Sequence, residues 1–183
     1  MVYETAIQKS WKDLKKSSDK SRYSVKLLCD SYNVNLKERT VLSSSCNIPV
    51  KSHAGILILH YLAKKLKGLH PVSGEWISFK ELEGGEGYYP TFKKRVIEPI
   101  MRKYGTDPDS LLALVERFNA KRTRLADISI AFEVFEGVLI LINFWRGDNE
   151  FGPEANVLFD RGIKEMFCTE DIVVLSEIVV HSI

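Results

Sequence analysis

The sequence predicts an α+β fold, mainly an antiparallel sheet built from two hairpins with helices packed on it. Two stretches carry the strand signal. YSVKLLC followed by YNVNL, and DISIAFEVF followed by VLILINFW, alternate or run apolar over strand lengths with turn residues between them. A third observation carries the helices: VKSHAGILILHYLAKKLKG and the segment after Pro90 repeat apolar residues every three to four positions. Sequential hairpins pair most simply into one sheet, and an amphipathic helix must bury its stripe against something. The 183 residues suffice for one domain over the whole chain, 1–183, with a single sizeable core.

Taken in order, Tyr3, Ile7, Trp11 and Leu14 lie at helical spacing, so residues 3–16 form an amphipathic helix that KKSSDKS ends as a polar loop. Asp30 and Ser31 suit the tight turn of the first hairpin. Pro49 leads into the most apolar helix, which turns basic in its last turn and stops at Gly68. WISFKEL is ambiguous, and EGGEG reads as a loop because clustered glycines supply positive φ. Pro90 suits the first turn of a helix whose face is Phe92, Val96, Ile100 and Tyr104, and Pro99 should kink it. TDPDS opens a further helix with Asp107 as N-cap, and Leu111, Val115 and Phe118 form its buried stripe. Glu136 and Gly137 turn the second hairpin into VLILINFW, which reads as a central strand with Trp145 at its buried end. RGDNEFGPE is a loop and ANVLFD a short strand. TEDIVVLSEIVV would suit a strand by its β-branched residues. The Thr169 cap and the acids at 170 and 171 favour a helix instead.

Composition narrows the class of protein. With 45% hydrophobic and 27% charged residues the chain is an ordinary globular sequence. Its N-terminus has no signal-peptide pattern, and GILIL is far too short to span a bilayer, so no membrane partner is expected. Three widely spaced cysteines, Cys29, Cys46 and Cys168, give neither a disulfide framework nor a zinc motif, which suits a reducing cytoplasm. Residues 1–105 hold 19 Lys and Arg against 10 Asp and Glu, a balance of +9, while residues 106–183 balance at −7. The reading favoured here is mutual attraction of the halves within one fold. A pI of 8.3 with no recognised nucleic-acid fold argues against DNA or RNA as partner.

Few motifs carry chemistry. GGEG lacks the spacing of phosphate-binding loops, and H-E-x-x-H is absent. His53 and His60 share a helix face two turns apart, about 10.5 Å, too far for one metal ion alone. His60 among Ile56, Leu57 and Ala63 reads as a buried histidine with one hydrogen bond, or as a general base. Asp148, Glu150, Glu154 and Asp160 are the chain's best supply of oxygens for a hard cation, but they lack the EF-hand order, so no metal is assigned. Glu81 and Glu83 flank the glycines and could do acid–base work.

One longer pattern stands out. HYL at 60–62, the stretch from Trp76 to Gly85, Tyr88, and Phe92 with Arg95 form its first part. Trp145, Gly147, Asp148, Glu150 and Phe151, LFD at 158–160, and the Glu170–Asp171 pair complete it. Over most of the chain this resembles the prokaryotic family called domain of unknown function 3786. The resemblance implies a setting in anaerobes, where some members are joined to cysteine-rich iron–sulfur modules, but it carries no catalytic residue and no cofactor over. The expected site is a cleft lined by His60, Trp76, Glu81, Tyr88, Arg95, Trp145, Asp148 and Glu150, with Arg95 facing Asp148 or Glu150. Three functions fit. The first is a ligand-binding or accessory protein taking a small molecule or a partner protein. The second is an enzyme with His60 or Glu81 as general base and a cation held by Asp148 and Glu150. The third is an interaction module with no small-molecule site.

Overall fold

The computed structural model describes residues 2–16, 18 and 20–183, with side chains from residue 5 onward. The Tyr3 side chain of the expected stripe, and Ser17 and Asp19 of the KKSSDKS loop, lie outside the described residues. The chain is α+β, and its strands form two antiparallel sheets where the hairpin pattern suggested one. Helix α1 (Val2–Lys16) precedes a three-stranded sheet of β1 (Arg22–Leu27), β2 (Asp30–Asn35) and β3 (Thr40–Ser43). The β1–β2 turn falls at Leu28 and Cys29, two residues before the expected Asp30–Ser31, with Leu28 at φ +53°. The Leu28 amide donates to the Val134 carbonyl at 2.7 Å, which ties this sheet to the larger one.

Helix α2 (Ser52–Lys65) buries Ala54 to Leu59 together with Tyr61 and Leu62, and Gly68 at φ +109° follows it. After β4 (Trp76–Ser78) and a 3₁₀ turn (Phe79–Glu81), α3 starts at Gly85 and ends at Phe92. It therefore begins five residues earlier than Pro90 suggested. Gly84 supplies the left-handed entry at φ +68°, and Gly85 lies so close to the Phe79 carbonyl that no side chain fits. A widened π turn (Lys93–Ile97) joins α3 to α4 (Glu98–Tyr104), with the Glu98 amide bonded to the Lys93 carbonyl. Pro99 has no N–H to return to Arg95, so the ladder widens here, where a kink was expected.

The region after Asp107 is a 3₁₀ turn (Pro108–Leu112) running into a short α5 (Ala113–Arg117), and the Asp107 side chain caps nothing. The five-stranded sheet has the order β4-β8-β7-β6-β5, from β5 (Lys121–Thr123), β6 (Ile128–Phe135), β7 (Val138–Trp145) and β8 (Glu154–Asp160). The apolar run at 138–145 is thus the central strand, as its sequence predicted. A short α6 (Ile163–Met166) and α7 (Thr169–Ser182) complete the chain. Thr169 does not cap α7; Cys168 holds the N-cap position and the Thr169 hydroxyl donates to the Glu83 carbonyl at 2.8 Å.

The core lies between the helices and the face of the large sheet formed by Ile130, Phe132, Ile140, Ile142, Phe144 and Phe159. Tyr61 stacks on Phe135 at 4.4 Å and Phe79 on Phe92 at 4.0 Å, contacts worth about 0.5–1.5 kcal/mol each beyond area burial. Trp145 stands on the opposite face and is half-buried, not buried as its place at the end of the apolar run implied. Strand alternation explains the difference: Phe144 takes the core side and its neighbour must point away. Ion pairs cross between the basic and acidic parts of the chain: Lys65–Glu136, Arg95–Glu177, Arg161–Glu75 and His60–Asp171. Two of these, Lys65–Glu136 and Arg95–Glu177, join a cation of the basic part to an acid of the acidic part, while Arg161–Glu75 runs the opposite way.

Candidate functional site

A cavity of about 850 Å³ opens between the C-terminal half of α2, the glycine turn at 82–84 and the connection from α6 into α7. That volume is within the usual range for small-molecule sites. Each wall has a local cause. Helix α2 contributes His60, Ala63 and Lys64, and Lys67 follows just past its end. The turn at 82–84 is held by the capping box of Ser78 and Glu81, by Gly84 in the left-handed region, and by the Thr169–Glu83 bond. Outside the cavity, Asp160, 2% exposed, ties the 73–74 loop to the entry of α6: its carboxylate accepts the amides of Ser73, Gly74 and Gly162 and the Ser73 hydroxyl at 2.8–3.1 Å. Burial alone would push that carboxyl upward, but these four hydrogen bonds outweigh it and hold it below the usual carboxylate range.

The chemistry of the cavity centres on His60. Its Nδ1 lies 2.7 Å from Asp171 Oδ2, with the histidine side chain 35% exposed and the aspartate 14% exposed. A carboxylate only accepts, so Nδ1 carries the proton, and in the neutral ring Nε2 is left as an acceptor. Histidine is thus half-buried, not the buried group its apolar neighbours Ile56 and Leu57 suggested, because it lies at the edge of their face where the cavity opens. Lys64 and Lys164 donate to the backbone carbonyls of Glu165 and Glu81, which stitch the walls together without neutralising either ammonium. Cys168 also lines the cavity; burial chiefly pushes its thiol up to about 11, so it rests protonated. Leu82, Met166, Phe167 and Ile172 give the cavity its apolar lining.

The other residues of the expected cleft are placed elsewhere. Glu81 is engaged as a turn cap, its Oε2 accepting the Ser78 amide at 2.7 Å and hydroxyl at 3.0 Å, and the amide bond chiefly lowers its pKa. Such a carboxylate is a poor general base. Arg95 forks onto Glu177 of α7 and donates to the Tyr88 hydroxyl at 3.3 Å, so it faces neither Asp148 nor Glu150 nor the acids of its own segment. Asp148 Oδ1 accepts the amides of Glu150 and Phe151, both at 2.8 Å, which fixes the 146–153 loop and lowers the Asp148 pKa. Glu150 is exposed, and Trp76 and Trp145 are half-buried on the outer sheet face.

The two segments expected to share a concavity lie apart. Pro153 of the β7–β8 loop lies beside Gly105, just past the end of the helical run that starts at Gly85. Tyr88, near its start, is about 25 Å away at 1.5 Å per residue. Among the described residues no group of three or more His, Cys, Asp or Glu side chains could hold a metal ion. Sequence reasoning missed Asp171, Lys64, Lys164 and Cys168 as site residues. The Glu170–Asp171 pair was visible, but only as a helix-start signal and as part of a family pattern.

A family model described as Domain of unknown function (DUF3786) matches residues 7–182. No curated protein and no solved structure matches the chain.

Proposed function

The chain belongs to the DUF3786 family of domains of unknown function, and on that premise we propose that it binds a small polar metabolite in the His60 cavity, where His60 exchanges a proton with it. The observation that carries this reading is the 2.7 Å His60–Asp171 contact in the wall of a cavity of about 850 Å³. An aspartate on Nδ1 fixes the tautomer and orientation of the ring, the arrangement a general base requires. Asp171 is thus a positioning residue and His60 the group that meets the ligand. The apolar lining would hold the ligand's body while Lys67 and Lys164 meet its polar groups. A reducing cytoplasm suits the free thiols Cys29, Cys46 and Cys168, and the family resemblance favours the metabolism of an anaerobic prokaryote.

The test is a thermal-shift screen against organic acids, nucleotides, corrinoids and divalent cations. A ligand that binds only the folded state at a hundred times its Kd stabilises it by about 2.7 kcal/mol. The expected hit is lost in His60→Gln, weakened in Asp171→Asn and kept in Arg146→Ala. Hits that survive His60→Gln unchanged, or a screen without hits, would overturn the reading.

A further inference from the structure

A smaller cavity of about 210 Å³ lies between α1, β3 and the first turns of α2, and it shares no lining residue with the His60 cavity. Its apolar walls are Ile7 and Trp11 of α1, Val41 of β3, Val50, and Leu59 of α2. Trp11, Val41 and Leu59 are buried and form its floor, while Ile7 and Val50 are half-buried at its rim. Among the described residues that line it Arg39 is the only charged one, and the adjoining first turn of α2 carries no acid. Arg39 also sits where arginine is disfavoured. It closes the turn into β3 at φ +53°, in the left-handed region that favours glycine. The Asn35 carboxamide fixes that turn by accepting the Lys37 and Glu38 amides at 3.1 and 3.3 Å. The guanidinium donates to the neutral Gln8 Oε1 at 3.0 Å, and no ion pair joins it to a carboxylate among the described residues. Backbone strain of this kind concentrates at ligand clamps.

We propose that this groove binds a free medium-chain aliphatic carboxylate, its chain among Ile7, Trp11, Val41 and Val50 and its carboxylate on Arg39. Charge complementarity selects the class. An apolar groove with one cationic fork at its mouth matches a chain with one anionic end. A guanidinium offers a carboxylate two parallel N–H donors, and the bond to Gln8 occupies one N–H and leaves the others for the ligand. A dianionic head would bring charge that no second cation of the lining meets. The His60 cavity differs on this point, because Lys64, Lys67 and Lys164 share its walls with Glu83 and Glu170. Size sets the length of the chain. At roughly 30 Å³ for each water-sized group, the cavity holds about seven such groups, the apolar part of an eight-carbon acid.

The experiment is calorimetric titration of the full chain with octanoate, with 1-octanol and acetate as control ligands. Arg39→Gly, Arg39→Gln and His60→Gln are the variants. The wild type is expected to bind octanoate saturably, with a Kd at or below about 1 mM, and at least tenfold more tightly than either control. Arg39→Gly relieves the left-handed strain, so its thermal midpoint stays or rises while octanoate binding weakens at least tenfold. A purely structural arginine would lose stability instead. Arg39→Gln keeps a side chain of similar reach without the charge and is expected to lose the same affinity. His60→Gln is expected to bind octanoate as the wild type does. Absence of octanoate binding overturns the proposal, and so does 1-octanol binding as tightly as octanoate. Binding that survives both Arg39 variants also overturns it. So does binding lost in His60→Gln, which would place the ligand in the other cavity.

Discussion

Replacing Asp160 by alanine tests how the 73–74 loop and the entry to α6 are held. The carboxylate is 2% exposed and accepts three backbone amides and one hydroxyl, from Ser73, Gly74 and Gly162. Hydrogen bonds to a charged group contribute about 1.5–3 kcal/mol each, and a buried donor left without its acceptor costs about 1–3 kcal/mol. Water entering beside the exposed Ser73 offsets part of the loss, so Asp160→Ala should destabilise by about 3–5 kcal/mol. Asp160→Asn keeps the shape but turns N–H groups toward donors, and about 2–3 kcal/mol is expected. The pH dependence has a definite sign. A carboxyl whose pKa is lowered in the fold contributes stability that is present above its unfolded value, about 3.9, and is lost as pH falls through the lower folded value. Urea unfolding at pH 7 and at steps below pH 4 should therefore show the gap between wild type and Asp160→Asn closing in acid. A gap under about 1 kcal/mol at pH 7, or one that stays constant into acid, would refute this account.

Other expectations follow from single contacts. Gly84→Ala meets open space but keeps φ +68°, so about 1 kcal/mol of strain is expected, whereas Gly85→Ala collides with the Phe79 backbone and should cost clearly more by chemical denaturation. Trp145→Ala should cost about 1–2 kcal/mol, below the roughly 3–5 kcal/mol of a core tryptophan, because its ring lies outside the main core. Hydrogen bonding by Ser43 chiefly lowers the Cys46 pKa while burial raises that of Cys168 to about 11; iodoacetamide at neutral pH should label Cys46 first, as peptide mass spectrometry would reveal.

What the sequence made legible were the elements long enough to show a period. Helix α2, the hairpin turning at Glu136 and Gly137, the central strand and α7 all formed as read. β3 and β5 were missed, being four and three residues long, too short for alternation to register. α3 was misjudged because glycine disfavours helices; the close approach of Gly85 to Phe79 overrode that propensity. The site was harder for a similar reason. His60 was visible among apolar residues, but its partner lies 111 positions away, and Arg95 finds Glu177 at a distance of 82. No local pattern encodes such pairs, so charge sign alone pointed Arg95 at the wrong acidic segment.

The position of the cavity follows from the same charge distribution. The first 105 residues carry +9 and the remainder −7, and folding brings them together along α2 and α7. Where side chains meet directly the seam closes, as at Lys65–Glu136 and Arg95–Glu177. Around His60 it does not close. Lys64 and Lys164 reach only neutral carbonyls, while Asp171 is committed to the histidine. An aspartate with a lysine for a partner would have sealed this gap and left no oriented imidazole. Because Asp171 meets a histidine instead, the seam keeps an opening lined by one proton-accepting nitrogen and cations not neutralised by any carboxylate contact. His60→Lys therefore serves as the converse of His60→Gln: it should form a full ion pair with Asp171 and leave stability unchanged or higher, yet abolish ligand binding. Binding retained in that variant would show that the imidazole is incidental to the site.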